Sequence, residues 1–172
     1  MRESGSLSIR QIIYIVLTVI WMAVIFMFSA EDADESAAES NAVGMMVGEV
    51  IYSDFEEWPQ EEQKALAVKW DYPVRKTAHM TEYAILGFLL VGIFVKKPCK
   101  RFLPIAYAYG IAVAYAVTDE LHQYFVPGRA CMLTDVGYDA LGALVGVLLG
   151  SVCFIVSEKV FSHTTKPSGR MP

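Results

Sequence analysis

Two short stretches concentrate side chains able to do chemistry. "RKTAHMTEY" carries Arg75, Lys76, His79, Glu82 and Tyr83, and "TDELHQYFVPGR" carries Asp119, Glu120, His122, Gln123 and Arg129; Asp135 and Asp139 follow. Spacings of three and four put Lys76, His79, Glu82 and Tyr83 on neighbouring turns of one helix, Asp119, His122 and Gln123 on those of a second, and Asp135 and Asp139 on a third. An imidazole steered by carboxylates is equipment for general acid and base work, which makes His79, Glu82, Asp119, Glu120 and His122 the candidate catalytic groups. Arg129 and Lys76 suit a phosphate or carboxylate, since a guanidinium forks onto such groups. With Arg75, Tyr83, Gln123, Asp135 and Asp139 they form the candidate ligand-binding set. The nitrogen and oxygen donors are also of the kind zinc or manganese accepts. His-x-x-Glu and Asp-Glu-x-His are short patterns, however, and the adjacent cations oppose a metal, so no cofactor is expected and a divalent metal is the lesser alternative. The plainest reading is structural: Glu82 with Arg129, or His79 with Asp119, fastening helix ends. No Ser or Cys nucleophile motif, Gly-rich phosphate loop or CxxC pair is present.

The surrounding sequence says what must hold these groups. With 55% hydrophobic residues, 19% charged residues and a mean hydropathy of +0.39 over 172 residues, the chain is too apolar for an ordinary soluble domain. Four windows near residues 11–28, 78–95, 102–118 and 136–156 approach the roughly 17 to 25 apolar residues that cross a hydrocarbon core. The expectation is an all-α integral membrane bundle of four transmembrane helices. The first window is expected to be retained as a span, because "AEDADES" follows it where a signal peptide would want small residues. Basic residues flank the spans at Arg2 and Arg10, in "KKPCKR", and at Lys159, Lys166 and Arg170, which predicts both termini inside. Arg75 and Lys76 are the exceptions. In that topology all the ionisable residues above gather near the outer face. Cys99, Cys131 and Cys153 fall in three different compartments, so no intramolecular disulfide is expected. A net charge of −5 argues against nucleic acid.

The long first outer loop, 31–77, has pattern. Val43, Met46, Val47, Val50 and Ile51 recur at helical spacing behind a Ser- and Asp-rich start, and "WPQEEQKALAVKW" has Pro59 ahead of Glu61 and Glu62. Two short amphipathic helices are expected there, surface anchors before lids. Ala108, Ala112 and Ala116 in the third span and Gly142, Gly146 and Gly150 in the fourth recur every four residues, predicting that these spans touch, or that the glycines make a homodimer contact. Residues 1–161 are expected to form one domain and 162–172 a flexible cytoplasmic tail.

Taken together, "FSAEDADESAAES", "RKTAHMTEYAILGFLL" and "TDELHQYFVPGRACMLTDVGYDALGAL" resemble the VanZ-like membrane proteins over most of the chain. The shared positions are Ser29, Pro127, Gly128 and Gly142 with the twelve candidate site residues. The resemblance implies a multi-pass protein of the bacterial cell membrane and, for some members, a part in resistance to glycopeptides, teicoplanin more than vancomycin. "ACML" after Arg129 departs from the small and hydroxyl residues more usual there. Three functions are open. An extracytoplasmic pocket could engage a membrane lipid, a lipid-linked wall precursor or a lipoglycopeptide drug; an enzyme could modify an envelope lipid or precursor by His/carboxylate chemistry; or a structural or partner protein could use the cluster only to lock its helices. Oligomeric state is open.

Overall fold

The computed structural model describes residues 7–95 and 102–164, which are all-helical. α1 spans Ile9–Ser29, α2 Ala33–Ile51, α3 Gln60–Phe94, α4 Phe102–Gln123 and α5 Leu133–Thr164, with a single 3-10 turn at Phe55–Glu57 between α2 and α3. Four of these helices, α1, α3, α4 and α5, are long and apolar enough to cross a membrane. Their outward faces carry Ile13, Val16, Ile20, Leu148 and Val152, all exposed on the isolated chain, as lipid contact requires. The protein is a multi-pass membrane protein.

Helix boundaries follow local chemistry. Ser8 and Gln11 close a reciprocal capping box at the start of α1, and the Asp32 carboxylate accepts from the backbone N–H groups of Asp34 and Glu35 at the start of α2. At the other end of the bundle the open carbonyls of α3 are met by α1, where Gln11 donates to Ile93 O at 3.0 Å and Arg10 to Val95 O.

The second span is longer than expected. The stretch 58–70, expected to hold a separate short surface helix, runs from Gln60 without a break into the span, so that α3 is one helix of 35 residues. Residues 60–67 are Glu, Gln, Lys, Ala and Leu, good helix formers, no Gly or Pro intervenes before Pro73, and Pro73 removes only one ladder donor from a helix packed by α1, α2, α4 and α5. α5 likewise exceeds its predicted window at both ends. Residues 162–164 of the expected tail continue that helix, and 165–172, like Cys99 and the "KKPCKR" connection, lie outside the described residues.

Packing assigns the glycines differently from the expectation. A Cβ at Gly142 or Gly146 would collide with the backbone of Met80 or Ala84 on α3, and Gly150 faces Phe88 and Val91 of the same helix. The stripe is therefore filled by α3 from within the chain, which removes the homodimer contact and makes α3–α5 the principal seam of the bundle. α4 does pack on α5, and Ala108, Ala112 and Ala116 are fully buried in a core shared with Ile25, Leu86, Val91 and Val147. α2 lies along α3 through Ser40 and Gly44, where a Cβ on Gly44 would strike the Ala67 backbone, and Gly48 takes the Phe55 ring of the 3-10 turn. Its apolar residues Val43, Met46, Val50 and Ile51 stay exposed, so they are not spent on protein contact.

Candidate functional site

The polar residues gather at the bundle end where α1 finishes, α5 begins and α3 passes its middle. The α4–α5 connection closes this end. Arg129 N–H donates to Val126 O at 3.2 Å across Pro127 and Gly128, and Gly128 has φ +73°, the geometry of a type II turn that requires glycine at its third position. The turn rests on α2: Ala33 N–H donates to Pro127 O, and a Cβ on Gly128 would press on the Ala33 side chain. Farther along the connection, Glu120 Oε1 accepts from the Met132 N–H at 2.5 Å. This folding points Arg129 inward, where its Nε donates to Glu31 O at 3.1 Å.

Two cavities flank that guanidinium. One, of about 230 Å³, is lined by Lys76, Glu120, Gln123, Asp135 and Asp139, with Met132 and Tyr72 at its edge. The other, of about 210 Å³, lies towards α1 and α2 and is lined by Glu31, Ser36, Glu39, Ser40 and Glu82. Arg75, His79 and Arg129 belong to both and form the wall between them.

Charges on this wall are paired unequally. Lys76 Nζ lies 2.5 Å from Asp135 Oδ2, joining α3 to the first turn of α5, and Arg75 donates to Asp71 Oδ2 at 2.9 Å. Ser40 also donates to Asp71, which ties α2 into the same group. Arg129 has no carboxylate within 4.0 Å among the described residues, although it is half-buried. Burial, then the neighbouring Arg75 charge, pull its pKa below the ordinary arginine value, with Glu31, Asp119 and Glu120 opposing; an arginine so shifted still stays protonated. Burial raises the Glu31 pKa, and the Glu39 and Glu35 charges raise it further.

His79 sits between two acids, with Nδ1 at 3.9 Å from Glu82 Oε2 and 4.0 Å from Asp139 Oδ1, contacts too long to be hydrogen bonds. Behind the cavities Asp119 is buried beside the hydroxyls of Ser29 and Tyr83, yet neither of its oxygens, nor Tyr83 Oη, nor Glu82 Oε2, makes a hydrogen bond of acceptable geometry. Gln123 instead takes the Ser29 hydroxyl as its acceptor at 2.9 Å.

Of the predicted set, Arg75, Lys76, His79, Glu82, Glu120, Gln123, Arg129, Asp135 and Asp139 line one or both cavities. Tyr83 and Asp119 lie behind them in the bundle. His122 is drawn off altogether: its ring stacks on Phe26 of α1 at a centroid distance of 4.4 Å, and its buried Nε2 has no partner. The two fastenings proposed from sequence, Glu82 with Arg129 and His79 with Asp119, are not among the ion pairs formed; Lys76–Asp135 and Arg75–Asp71 are. Among the described residues no three His, Cys, Asp or Glu side chains are disposed to hold one metal ion. Sequence reasoning missed Asp71 and Glu31. The first was legible as the residue one turn before Arg75, whereas the second depends on the turn that brings Arg129 across to the end of α1.

No curated protein and no solved structure gives a significant match. The family model described as VanZ/LLP1 matches residues 14–155, a stretch that takes in most of the first and fourth spans, all of the second and third, α2 and both cavities. With most of its length inside that match, the chain belongs to the VanZ/LLP1 family.

Proposed function

We propose that this protein binds the anionic group of a cell-envelope lipid, a lipid-linked wall precursor or a lipoglycopeptide at an extracytoplasmic site, and thereby lowers susceptibility to teicoplanin-type glycopeptides without altering the ligand covalently. The observation that carries the reading is Arg129, a half-buried guanidinium that two cavities share and that has no carboxylate within 4.0 Å among the described residues. A desolvated, unpaired charge is costly, and a phosphate or carboxylate that forks onto it recovers that cost. Orientation rests on the basic residues at the opposite end of the spans. The two exceptions to that rule, Arg75 and Lys76, are each paired with an aspartate, so they add little net positive charge to the outer side.

The test is susceptibility to teicoplanin and vancomycin in a sensitive host expressing wild type, Arg129→Ala and Arg129→Lys at equal membrane levels. Protection selective for teicoplanin, lost in Arg129→Ala and only partly restored by Arg129→Lys, is the expected result. Full protection by Arg129→Ala overturns the reading.

An enzyme remains the second reading, because His79 is placed between two carboxylates at the cavity wall. In that reading His79 exchanges a proton with the ligand while Glu82 and Asp139 orient it. It predicts an altered envelope lipid or precursor in cells with the wild type and none with His79→Gln, whereas the binding reading predicts identical lipid and precursor profiles.

A further inference from the structure

A third concavity, of about 610 Å³, runs along α3 between α1 and α2. Its walls are almost wholly apolar: Trp21 of α1, Val43 and Val47 of α2, and Trp70, Thr81 and Ile85 of α3. Val43, Thr81 and Ile85 are exposed, so nothing among the described residues fills the space. The Trp21 indole donates to Glu82 O at 2.9 Å, which fixes the ring as part of the α1 wall. The groove is continuous with the polar site, because Phe28, Val43, Val74, Ala78 and Glu82 line both it and the 210 Å³ cavity whose far wall is Arg75 and Arg129. From Arg75 to Ile85 α3 advances ten residues, about 15 Å at the helical rise, away from the guanidinium groups and towards the deeper part of the span.

One face is therefore apolar and open to the bilayer, and beside its middle lies the cavity of Arg75 and Arg129, the latter with no carboxylate within 4.0 Å among the described residues. A neutral lipid would leave Arg129 unmatched, and a small soluble anion would leave the groove to whichever lipid tail drifted in. A chain that carries its own acid at one end satisfies both. We infer that the ligand is an anionic amphiphile, with its phosphate or carboxylate at Arg129 and Arg75 and a single alkyl chain lying in the α1–α2–α3 groove. The inference rests on the anion-binding reading above and adds the class of ligand. A free tail gains little by leaving the bilayer for the groove, since lipid tails are as apolar as its walls; the groove acts on a chain already attached to the bound acid, which it accommodates and which a filled groove would drive away from the site together with its acid.

The test uses the full-length protein in nanodiscs of phosphatidylcholine and measures affinity for dodecyl phosphate and butyl phosphate. Thr81→Trp and, one turn deeper on α3, Ile85→Trp place an indole in the groove at exposed positions that do not line the 210 Å³ cavity, so either serves if the other folds poorly. Wild type is expected to bind both probes, the dodecyl ester at least tenfold tighter. The groove variants are expected to weaken dodecyl phosphate about tenfold and leave butyl phosphate unchanged, whereas Arg129→Ala weakens both. Wild type binding the two esters equally overturns the alkyl-chain inference while the anion site stands. Groove variants that keep the full preference overturn it too, by assigning the preference to partition into the bilayer. If neither ester binds, the anion-binding reading itself fails.

Discussion

At the scale of single residues, the site divides into charges that are matched and charges that are not. Lys76 and Asp135 are each less than one-fifth exposed and 2.5 Å apart, so removing one strands the other. Lys76→Met is expected to destabilise by about 2 kcal/mol, between the small value of an exposed pair and the several kcal/mol of a fully buried one. Lys76→Met combined with Asp135→Leu should recover most of it, read as the thermal unfolding midpoint in detergent; a double variant as unstable as the single would deny that the pair is coupled. Much of this was legible in sequence, because three- and four-residue spacing on α3 and α5 is enough to put Lys76, His79, Asp135 and Asp139 on facing turns. The fate of His122 was not. Its spacing from Asp119 placed it on the right helix, but whether that turn faces the cavity or α1 depends on how α4 is rotated, and Phe26 on α1 takes the ring. His122→Phe is accordingly expected to keep teicoplanin protection, if there is any, within twofold of wild type, whereas His79→Phe, at the cavity wall, lowers it.

At the scale of elements, α3 organises the molecule: α1, α2, α4 and α5 all pack on it, and both cavities and the groove use its residues. The four-residue repeat of glycines announced close packing, but its partner could not be read, since a small-residue stripe specifies a short interaxial distance and not which helix supplies it. Likewise the short helix expected after Pro59 and the second span are one helix, since Pro73 between them removes a single ladder donor from a helix that its neighbours hold. The seam gives a sharp contrast. A methyl group on Gly146 meets the Ala84 backbone, which cannot rotate away as a side chain can. Gly146→Ala is expected to cost about 1–3 kcal/mol through overpacking. Gly110→Ala on α4, where a Cβ meets nothing within 4 Å, should be neutral or stabilising by up to about 1 kcal/mol from helix propensity. Unfolding midpoints of the two variants in the same detergent decide it, and equal midpoints would mean that α3 and α5 do not approach as closely as the glycines allow.

At the scale of the whole molecule, the functional reading depends on which side of the membrane the cavities face. The Ser29 end of α1, the α4–α5 connection and the start of α5 form one polar end, and the proposed orientation, argued from the basic flanks, puts the other end in the cytoplasm. Cysteine chemistry separates the two orientations without added tags. Cys131 lies exposed and free in the α4–α5 connection beside Arg129, and Cys153 lies within the span of α5. Cys99 belongs to the α3–α4 connection at the opposite end of those helices. In intact cells a membrane-impermeant maleimide should therefore label a variant that keeps only Cys131, and should label one that keeps only Cys99 after lysis alone. Cys153 should stay protected in both conditions, since a membrane-impermeant reagent does not enter the hydrocarbon that its span faces. The reverse pattern, with Cys99 labelled first, would turn the cavities towards the cytoplasm; an extracellular antibiotic or wall precursor could then no longer reach Arg129 directly, and any effect on susceptibility would have to arise from a ligand of the inner leaflet.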